Sequence, residues 1–265
     1  MSQVAAAPTL WARRAVFIRF LRRDIATRYA GTVIGGVWAF GQPVLMLLIY
    51  AFVFRHVFRI ALPDLAPNSF VAFVACALWP WMAFQEGVQR GTQAIAGNAD
   101  LVRKVRFPYE LLVFATVASS FVIHFAGFCG VLLALSLTGE PFHFTALPTV
   151  IYAWAVMFLL ASGLALITSA LQVVLKDVDH LIGPFFMFLF YATPVLYPIT
   201  LVPEAIQPWM AMNPLVHVVE PLRAALLKGD SAWLVLSLVA IGGILLILGG
   251  RWLFVRLSAY FEDFL

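Results

Sequence analysis

The stretch "NADLVRKVRFPYELLV", residues 98–113, separates two long apolar blocks of the chain and does not have the composition of a simple tether. Asn98 is a residue type that caps the free N–H groups at the start of a helix, and Asp100 is favourable in a first helical turn. Pro108 suits the first turn of a second helix. The stretch therefore predicts a short helix that begins at Ala99 and a separate, longer helix after it.

The predicted short helix is amphipathic. Leu101, Val102 and Val105 share one face, and Arg103 and Lys104 take the other. Two turns are far below the length of helix that is stable alone in water, so the element must pack on something to keep its shape. Two interpretations remain open at this point: a solvated loop, or a helix whose apolar face fits a groove on a partner protein.

The composition of the whole chain places this stretch in a membrane protein. Of 265 residues, 63% are hydrophobic and 11% are charged, and the mean hydropathy is +0.96. A soluble domain is on average about 25% charged. The net charge of +4 does not indicate a nucleic-acid partner, because the charges lie at the ends of apolar blocks, as membrane topology requires.

A helix needs about 20 apolar residues to cross the hydrocarbon core of a bilayer. That criterion predicts an all-α integral membrane protein with six transmembrane helices. The fifth is short and contains Pro184 and Pro194. The predicted spans are residues 31–54, 70–92, 109–137, 147–175, 181–197 and 232–257.

An even number of spans puts both termini on one side of the membrane. Most of the 17 Lys and Arg residues fall on that side: before the first span, between the second and third, after the fourth, and at the end of the sixth. By the positive-inside rule, both termini and residues 98–106 are cytoplasmic. The chain is therefore expected to cross its membrane several times.

Two further segments accompany the spans in what we expect to be a single transmembrane domain, residues 1–265. Residues 8–29 form a basic, amphipathic N-terminal helix, which is typical of the membrane interface; Arg14 and Arg28 intrude on its apolar arc and are expected to snorkel. Residues 198–228 are apolar yet rich in proline, which predicts short external re-entrant helices that begin near Pro203 and Pro214.

The sequence lacks the motifs of several enzyme classes. It contains no G-x-x-x-x-G-K-[ST] phosphate loop, no H-E-x-x-H, no paired C-x-x-C and no G-x-S-x-G. The five histidines are scattered among different segments, so a metal site is not expected. We therefore expect no catalytic, metal-binding or cofactor-binding residue in this chain.

Small and ionisable residues inside the spans indicate contacts between helices. Glu86 and Arg90 can pair along one helix face, either as a structural ion pair or as part of a pathway. His124 is expected to hydrogen-bond to a neighbouring helix. In a membrane, glycines let helix backbones approach closely. The glycines in question are Gly31, Gly35, Gly36 and Gly41 in the first span and Gly242, Gly243, Gly249 and Gly250 in the sixth.

Four stretches in the same order resemble the permease subunit of bacterial ABC transporters that export polysaccharides, such as the capsule and O-antigen exporters. They are "FLRRDIATRYAGTVIGGVWAFGQPVLMLLIYAFVF", "NADLVRKVRFPYELLV", "YATPVLYP" and "MNPLVHVVEPLRAALL". The resemblance implies that residues 98–106 are the cytoplasmic coupling helix, which docks into a cleft on a separate ATPase subunit. The coupling residues would be Asn98, Asp100, Leu101, Val102, Arg103, Lys104 and Val105.

The resemblance also implies a homodimer with two ATPase subunits, on which ATP and Mg would bind, in the inner membrane of a bacterium. The cargo of the transporter would be a lipid-linked polysaccharide, with capsular polysaccharide favoured. Its other partners would be membrane lipids and periplasmic export proteins. Aromatic rings along the path could let sugars slide, while arginines meet the phosphate of a lipid anchor or an acidic polymer. The candidate path residues are Arg28, Trp38, Tyr50, Arg55, Arg59, Trp79, Trp81, Phe84 and Glu86.

Other interpretations remain open. The aromatic residues of 78–86 are also typical of an interfacial belt or a core. The cargo could be O-antigen, a teichoic acid, or a drug or lipid moved by a permease of the same superfamily. Outside transport, the chain could be a membrane enzyme that acts on isoprenoid lipids, or a structural scaffold.

Overall fold

The computed structural model describes residues 10–28, 31, 35–57 and 70–265, and all regular structure in these ranges is helical. Short 3₁₀ turns and one π-helical turn, Val53–Val57, extend or join the α-helices. The α-helices are α1 (Leu10–Thr27), α2 (Trp38–Phe52), α3 (Phe70–Gln93), α4 (Ala99–Lys104), α5 (Glu110–Leu137), α6 (Leu147–Val174), α7 (Val178–Tyr191), α8 (Gln207–Ala211), α9 (Val216–Lys228), α10 (Trp233–Ser258) and α11 (Phe261–Phe264).

Within the described residues, five helical segments are long and apolar enough to cross a membrane: Gly35–Phe52, Phe70–Gln93, Glu110–Leu137, Phe144–Val174 and Trp233–Ser258. They correspond to five of the six predicted spans. The remaining one is α7, whose 14 residues would span about 21 Å, against about 30 Å for the hydrocarbon core. The prediction of six spans thus stays a prediction.

Helices α3 and α6 form the centre of the bundle. α3 packs against α5 and α6, and α10 packs along α6. The crossing of α6 and α10 is close because glycines face each other there: a Cβ atom on Gly250 would lie 2.8 Å from the carbonyl oxygen of Gly163. Gly243 also faces α6, at 3.0 Å from Leu159, whereas Gly242 and Gly249 face open space. Close packing in the sixth span is therefore confirmed for Gly243 and Gly250.

The glycines of the first span behave differently. A Cβ atom on Gly31, Gly35 or Gly36 would meet nothing within 4 Å, and one on Gly41 would meet only Trp38 of its own helix. Gly31 and Gly35 have φ angles of 84° and 55°, a conformation that glycine adopts without a steric penalty. Within the described residues, none of these four glycines makes a close contact with another helix of the chain. Gly31 and Gly35 serve the backbone conformation instead.

The N-terminal helix is confirmed over residues 10–27 and packs against α5. The ring of Phe20 lies 5.2 Å from that of Phe107, just before α5. The rest of the predicted segment 8–29, apart from Arg28, lies outside the described residues, as do the side chains of Leu10 and Trp11. Location in the membrane interface stays a prediction.

The predicted short helices of the proline-rich segment are present. α8 carries Pro208 in its first turn and α9 begins two residues after Pro214. The first of them starts at Gln207, later than expected, because a 3₁₀ turn, Ile199–Leu201, and further turns precede it. α9 ends at Lys228 and is followed by Gly229, whose φ angle of 78° is suited to a helix C-terminus.

The predicted helix at residue 99 is confirmed as α4, but two details were wrong. Asn98 makes no capping hydrogen bond. Its side chain donates to the carbonyl oxygen of Ala94 at 2.9 Å and accepts from Arg23 at 2.8 Å. Val102 does not share an exposed face with Val105: Val102 is buried in the core, and Val105 is exposed in extended backbone after the helix ends.

Candidate functional site

A groove with a cavity volume of about 370 Å³ lies between α2, α3 and α7. It follows α2 from Gln42 to Tyr50, which is about 12 Å along the helix axis. Its walls combine aromatic rings, methionines and polar side chains. The lining residues are Gln42, Met46, Tyr50, Leu78, Trp81, Met82, Gln85, Glu86, Gln89, Gly183, Phe186, Met187, Phe190 and Tyr191.

The groove brings together three of the predicted path residues, Tyr50, Trp81 and Glu86. Trp79 does not line it, because its buried indole packs towards Gly127 of α5. Phe84 is also buried, and its ring meets that of Phe186 edge-on at 5.8 Å. Phe84 therefore supports a wall of the groove from within the bundle, because Phe186 is one of the lining residues.

The other predicted path residues lie elsewhere. Trp38 begins α2 and is 46% exposed, outside the lining of the groove. Arg28 lies beside Glu86, as described below. Arg59 and the side chain of Arg55 lie outside the described residues, so their assignment to an outer mouth stays a prediction.

Three glutamines in the groove were not among the predicted site residues: Gln42, Gln85 and Gln89. Gln85 and Gln89 follow Trp81 at intervals of four residues, so all three side chains lie on one face of α3. The indole N–H of Trp81 donates a hydrogen bond of 3.0 Å to Oε1 of Gln85. Amide side chains at helical spacing inside an apolar span were the available signal.

Glu86 is the centre of an ion-pair network. It pairs with Arg28 of the N-terminal segment, with His124 of α5 at 2.7 Å and with Arg90 of its own helix at 3.8 Å. The predicted pair with Arg90 and the predicted hydrogen bond of His124 to a neighbouring helix are therefore confirmed. The expectation that Arg28 snorkels was wrong: its side chain is 9% exposed because it turns inward to this carboxylate.

Asp24 joins the same network from α1. It pairs with Arg90 at 3.0 Å and accepts a hydrogen bond from the hydroxyl of Ser119 in α5. Asp24 was not among the predicted site residues, although it is the only acidic residue among six arginines in the predicted N-terminal helix. Two arginines and two carboxylates thus tie α1 to α3 and α5, next to the groove.

The turn around α4 is a second candidate site. Asp100, Arg103, Lys104 and Val105 are exposed and Leu101 is half-buried, so these side chains are accessible to a partner. The hydrogen bond between Arg23 and Asn98 connects this turn to α1. The hydroxyl of Tyr109 donates to the carbonyl oxygen of Val102 at 3.3 Å and holds the turn to the start of α5.

An apolar cavity of about 1250 Å³ adjoins the end of the groove. Tyr50 and Tyr191 line both spaces. The walls of the cavity come from the end of α2, the end of α7 and the proline-rich segment, and they are almost entirely hydrocarbon and aromatic. Such a space suits an acyl or isoprenoid chain better than a sugar.

Arg223 of α9 organises the proline-rich segment. Its guanidinium donates to the carbonyl oxygens of Phe73, Pro194 and Val195 at 2.8–3.2 Å and pairs with Glu220 at 2.6 Å. It also lies 3.6 Å from the centre of the Phe73 ring. Burial lowers the pKa of this guanidinium, and the charge of Glu220 acts in the opposite direction. These contacts link the turn after α7 to α3.

The chain is similar to known membrane proteins. Residues 15–227 match the family model described as ABC-2 type transporter. The chain is 30% identical to the O-antigen export system permease protein RfbA of Myxococcus xanthus, over 81% of each chain. It is 26% identical to the polysialic acid transport protein KpsM of Escherichia coli, over 78% of this chain and 79% of that one.

A third relative is the capsule polysaccharide export inner-membrane protein CtrC of Neisseria meningitidis serogroup B, 24% identical over 82% of this chain and 81% of that protein. The family model covers well over half of the sequence, and it includes most of α1, the turn around α4, the groove and nearly all of α9. The chain therefore belongs to the membrane family of ABC-2 type transporters.

Proposed function

We propose that this chain is the permease subunit of an ATP-driven exporter that moves a lipid-linked polysaccharide across the inner membrane of a bacterium. The observation that carries the proposal is its similarity to three polysaccharide-export permeases over at least 78% of each chain. In this proposal both termini and the turn around α4 face the cytoplasm, and the proline-rich segment faces outward.

The energy would come from a separate ATPase subunit, which would bind ATP and Mg. The sequence has no phosphate-binding loop of its own. The turn around α4 offers a compact contact for such a partner, since Leu101 and Val105 supply apolar surface beside Arg103 and Lys104. Coupling here would transmit movement of the ATPase to α3 and α5, which flank α4 in the chain.

A second copy of the chain would complete the passage. The groove is open on one side, and the helices that flank it expose apolar side chains, such as Leu45, Leu48 and Phe52 of α2 and Leu181 and Phe188 of α7. Two copies related by a two-fold axis would bring two grooves face to face. The combined walls would enclose a path wide enough for a polymer.

The relatives bear the names of exporters for O-antigen, for polysialic acid and for capsule polysaccharide. These names support polysaccharide as the cargo class, and both capsule and O-antigen remain predictions for this chain. Complementation distinguishes the two cargoes. Restored surface polysaccharide in a strain that lacks the capsule permease would support capsule, and restoration in a strain that lacks the O-antigen permease would support O-antigen.

Lipid export is a second candidate function, and the apolar cavity beside the groove favours it. In the main proposal this cavity would hold the lipid anchor of the polymer while the sugars occupy the groove. In the second candidate the lipid would be the entire cargo. A permease that restores no polysaccharide but moves a fluorescent lipid in vesicles would support the second candidate.

Co-purification with the candidate ATPase tests the main proposal. We expect Leu101→Asp with Val105→Asp to abolish both ATPase binding and export, because two charges would enter the apolar contact. The matched control is Leu137→Asp with Met212→Asp, at positions 81% and 76% exposed and far from α4 in the sequence, which should retain binding. Full binding and export in the first variant would remove α4 from the coupling role.

Cysteine labelling tests the orientation. In a background with Cys76 and Cys129 replaced, Val105→Cys should react with a membrane-impermeant maleimide only in inverted vesicles. Met212→Cys should react only in intact cells stripped of their outer membrane. The opposite pattern would contradict the cytoplasmic location of α4.

A further inference from the structure

The groove between α2, α3 and α7 has a polar surface made of amides, although it lies within predicted membrane spans. Gln42 is exposed in the groove, and Gln85 and Gln89 are half-buried. Within the described residues, the side chains of Gln42 and Gln89 have no hydrogen-bond partner. Polar groups at this depth are costly unless they are satisfied, so these amides require a ligand or water in the groove.

The position of Gln85 is set by a neighbour. Its Oε1 accepts the hydrogen bond from the indole of Trp81, so its NH₂ group remains available as a donor. The buried Trp81 is itself fixed against Phe186 and Phe190, whose rings lie 6.2 and 5.5 Å away. One amide of the groove is therefore oriented before any ligand arrives.

The charge of the groove is balanced without a ligand. Among the described residues that line it, Glu86 is the only carboxylate, and none is Lys or Arg. Glu86 already pairs with Arg28, His124 and Arg90, and Asp24 pairs with Arg90. A carboxylate or phosphate on every repeat of a passing polymer would find no unpaired cation in this lining and would approach Glu86.

Uncharged sugars match what the groove presents. A hydroxyl both donates and accepts, as an amide does, and the C–H faces of a sugar ring suit aromatic rings such as Tyr50 and Phe190. A lipid chain in the same place would leave the amides unsatisfied. We propose that the groove is a contact site for uncharged sugar units, with Gln42, Gln85 and Gln89 as its specificity-determining residues, an inference that rests on the proposed export function.

The first test measures export by the permease assembled with its ATPase, in cells that make either a neutral hexose polymer or a uronic-acid polymer on the same lipid anchor. The unmodified permease should export the neutral polymer at least ten-fold better. Gln85→Leu with Gln89→Leu should lower export of the neutral polymer about ten-fold. Gln85→Asn with Gln89→Asn keeps both amides and should give an export level between those of the leucine variant and the unmodified permease. Equal export of both polymers, or full export by the leucine pair, would overturn the proposal.

Gln93→Leu is the matched control. Gln93 continues the same face of α3, but its amide already bonds to Asp179 at 2.6 Å outside the groove. The Gln93→Leu permease should export the neutral polymer at the same level as the unmodified permease. A ten-fold loss of export in this variant too would contradict a role specific to the groove. Co-purification with the ATPase in each variant separates loss of a sugar contact from loss of assembly.

A second test does not depend on the glutamines. A photo-crosslinking amino acid at position 187, in the groove, should capture the neutral polymer during export, whereas one at position 245, exposed on α10, should not. Active export with no crosslink at position 187 would overturn the groove as a sugar contact. A permease that binds no ATPase and exports neither polymer would instead refute the proposed function.

Discussion

Nε2 of His124 lies 2.7 Å from Oε2 of Glu86, and this contact joins α5 to α3 beside the groove. Glu86 also accepts a hydrogen bond from the hydroxyl of Ser120 at 3.2 Å and pairs with Arg28, so groups from three parts of the chain meet at one carboxylate. In the low dielectric of a membrane protein, each group depends on the others, because a charge left alone there is strongly destabilising.

Replacement of Glu86 by glutamine tests this dependence. The variant removes the carboxylate that pairs with Arg28, His124 and Arg90 and leaves Asp24 as the acidic partner of Arg90. We therefore expect the free energy of unfolding to fall by about 3 kcal/mol and export to be lost. Thermal unfolding of the purified permease in detergent measures the stability. The matched control is Glu204→Gln at an exposed position, which should change stability by less than about 0.5 kcal/mol.

The crossing of α6 and α10 predicts opposite outcomes for two adjacent glycines. Gly250→Ala places a methyl group 2.8 Å from the carbonyl oxygen of Gly163, so the helices must separate, at a cost of about 1–3 kcal/mol. Gly249→Ala faces open space and should leave stability unchanged. Both are measured by size-exclusion chromatography after a temperature series. Equal stability of the two variants would contradict the close approach of the backbones.

The buried guanidinium of Arg223 should matter more than an exposed one. Arg223→Gln removes the donors to three carbonyl oxygens and leaves them unsatisfied, which should lower the free energy of unfolding by about 3 kcal/mol. Arg251→Gln breaks a single exposed pair with Glu110 and should cost less than about 1 kcal/mol. Urea unfolding followed by tryptophan fluorescence compares them. A loss at position 251 as large as that at 223 would refute the difference.

Val102 and Val105 should separate folding from partner binding. Val102→Asp buries a carboxylate in the core, so we expect poor expression and a fall of about 3 kcal/mol in the free energy of unfolding. Val105→Asp lies on an exposed surface and should leave the fold intact while it weakens association with the ATPase. Pull-down and thermal unfolding of the same preparations give both readouts. Normal folding of Val102→Asp would contradict the inward orientation of this residue.

Much of this architecture follows from local pattern. Apolar length determines where the spanning helices lie, because a bilayer imposes the same requirement on every span. Pro214 marks the start of α9 closely for the same kind of reason, since proline is suited to the beginning of a helix wherever it occurs. The start predicted near Pro203 was four residues too early, because α8 begins at Gln207. Glu86 and Arg90 are four residues apart, so any helix through both places their side chains on the same face.

Contacts between distant segments had to come from the tertiary structure. The amphipathic pattern of 98–105 assigns Val102 and Val105 to one face, yet the end of α4 after Lys104 turns them apart. The partner of Arg28 is 58 residues away, and the glycine that meets Gly250 lies on another helix. The periodicity of a sequence shows which side chains share a face of one helix. Which other helix that face contacts depends on how all the helices pack together, because the free energy of each contact depends on the contacts around it.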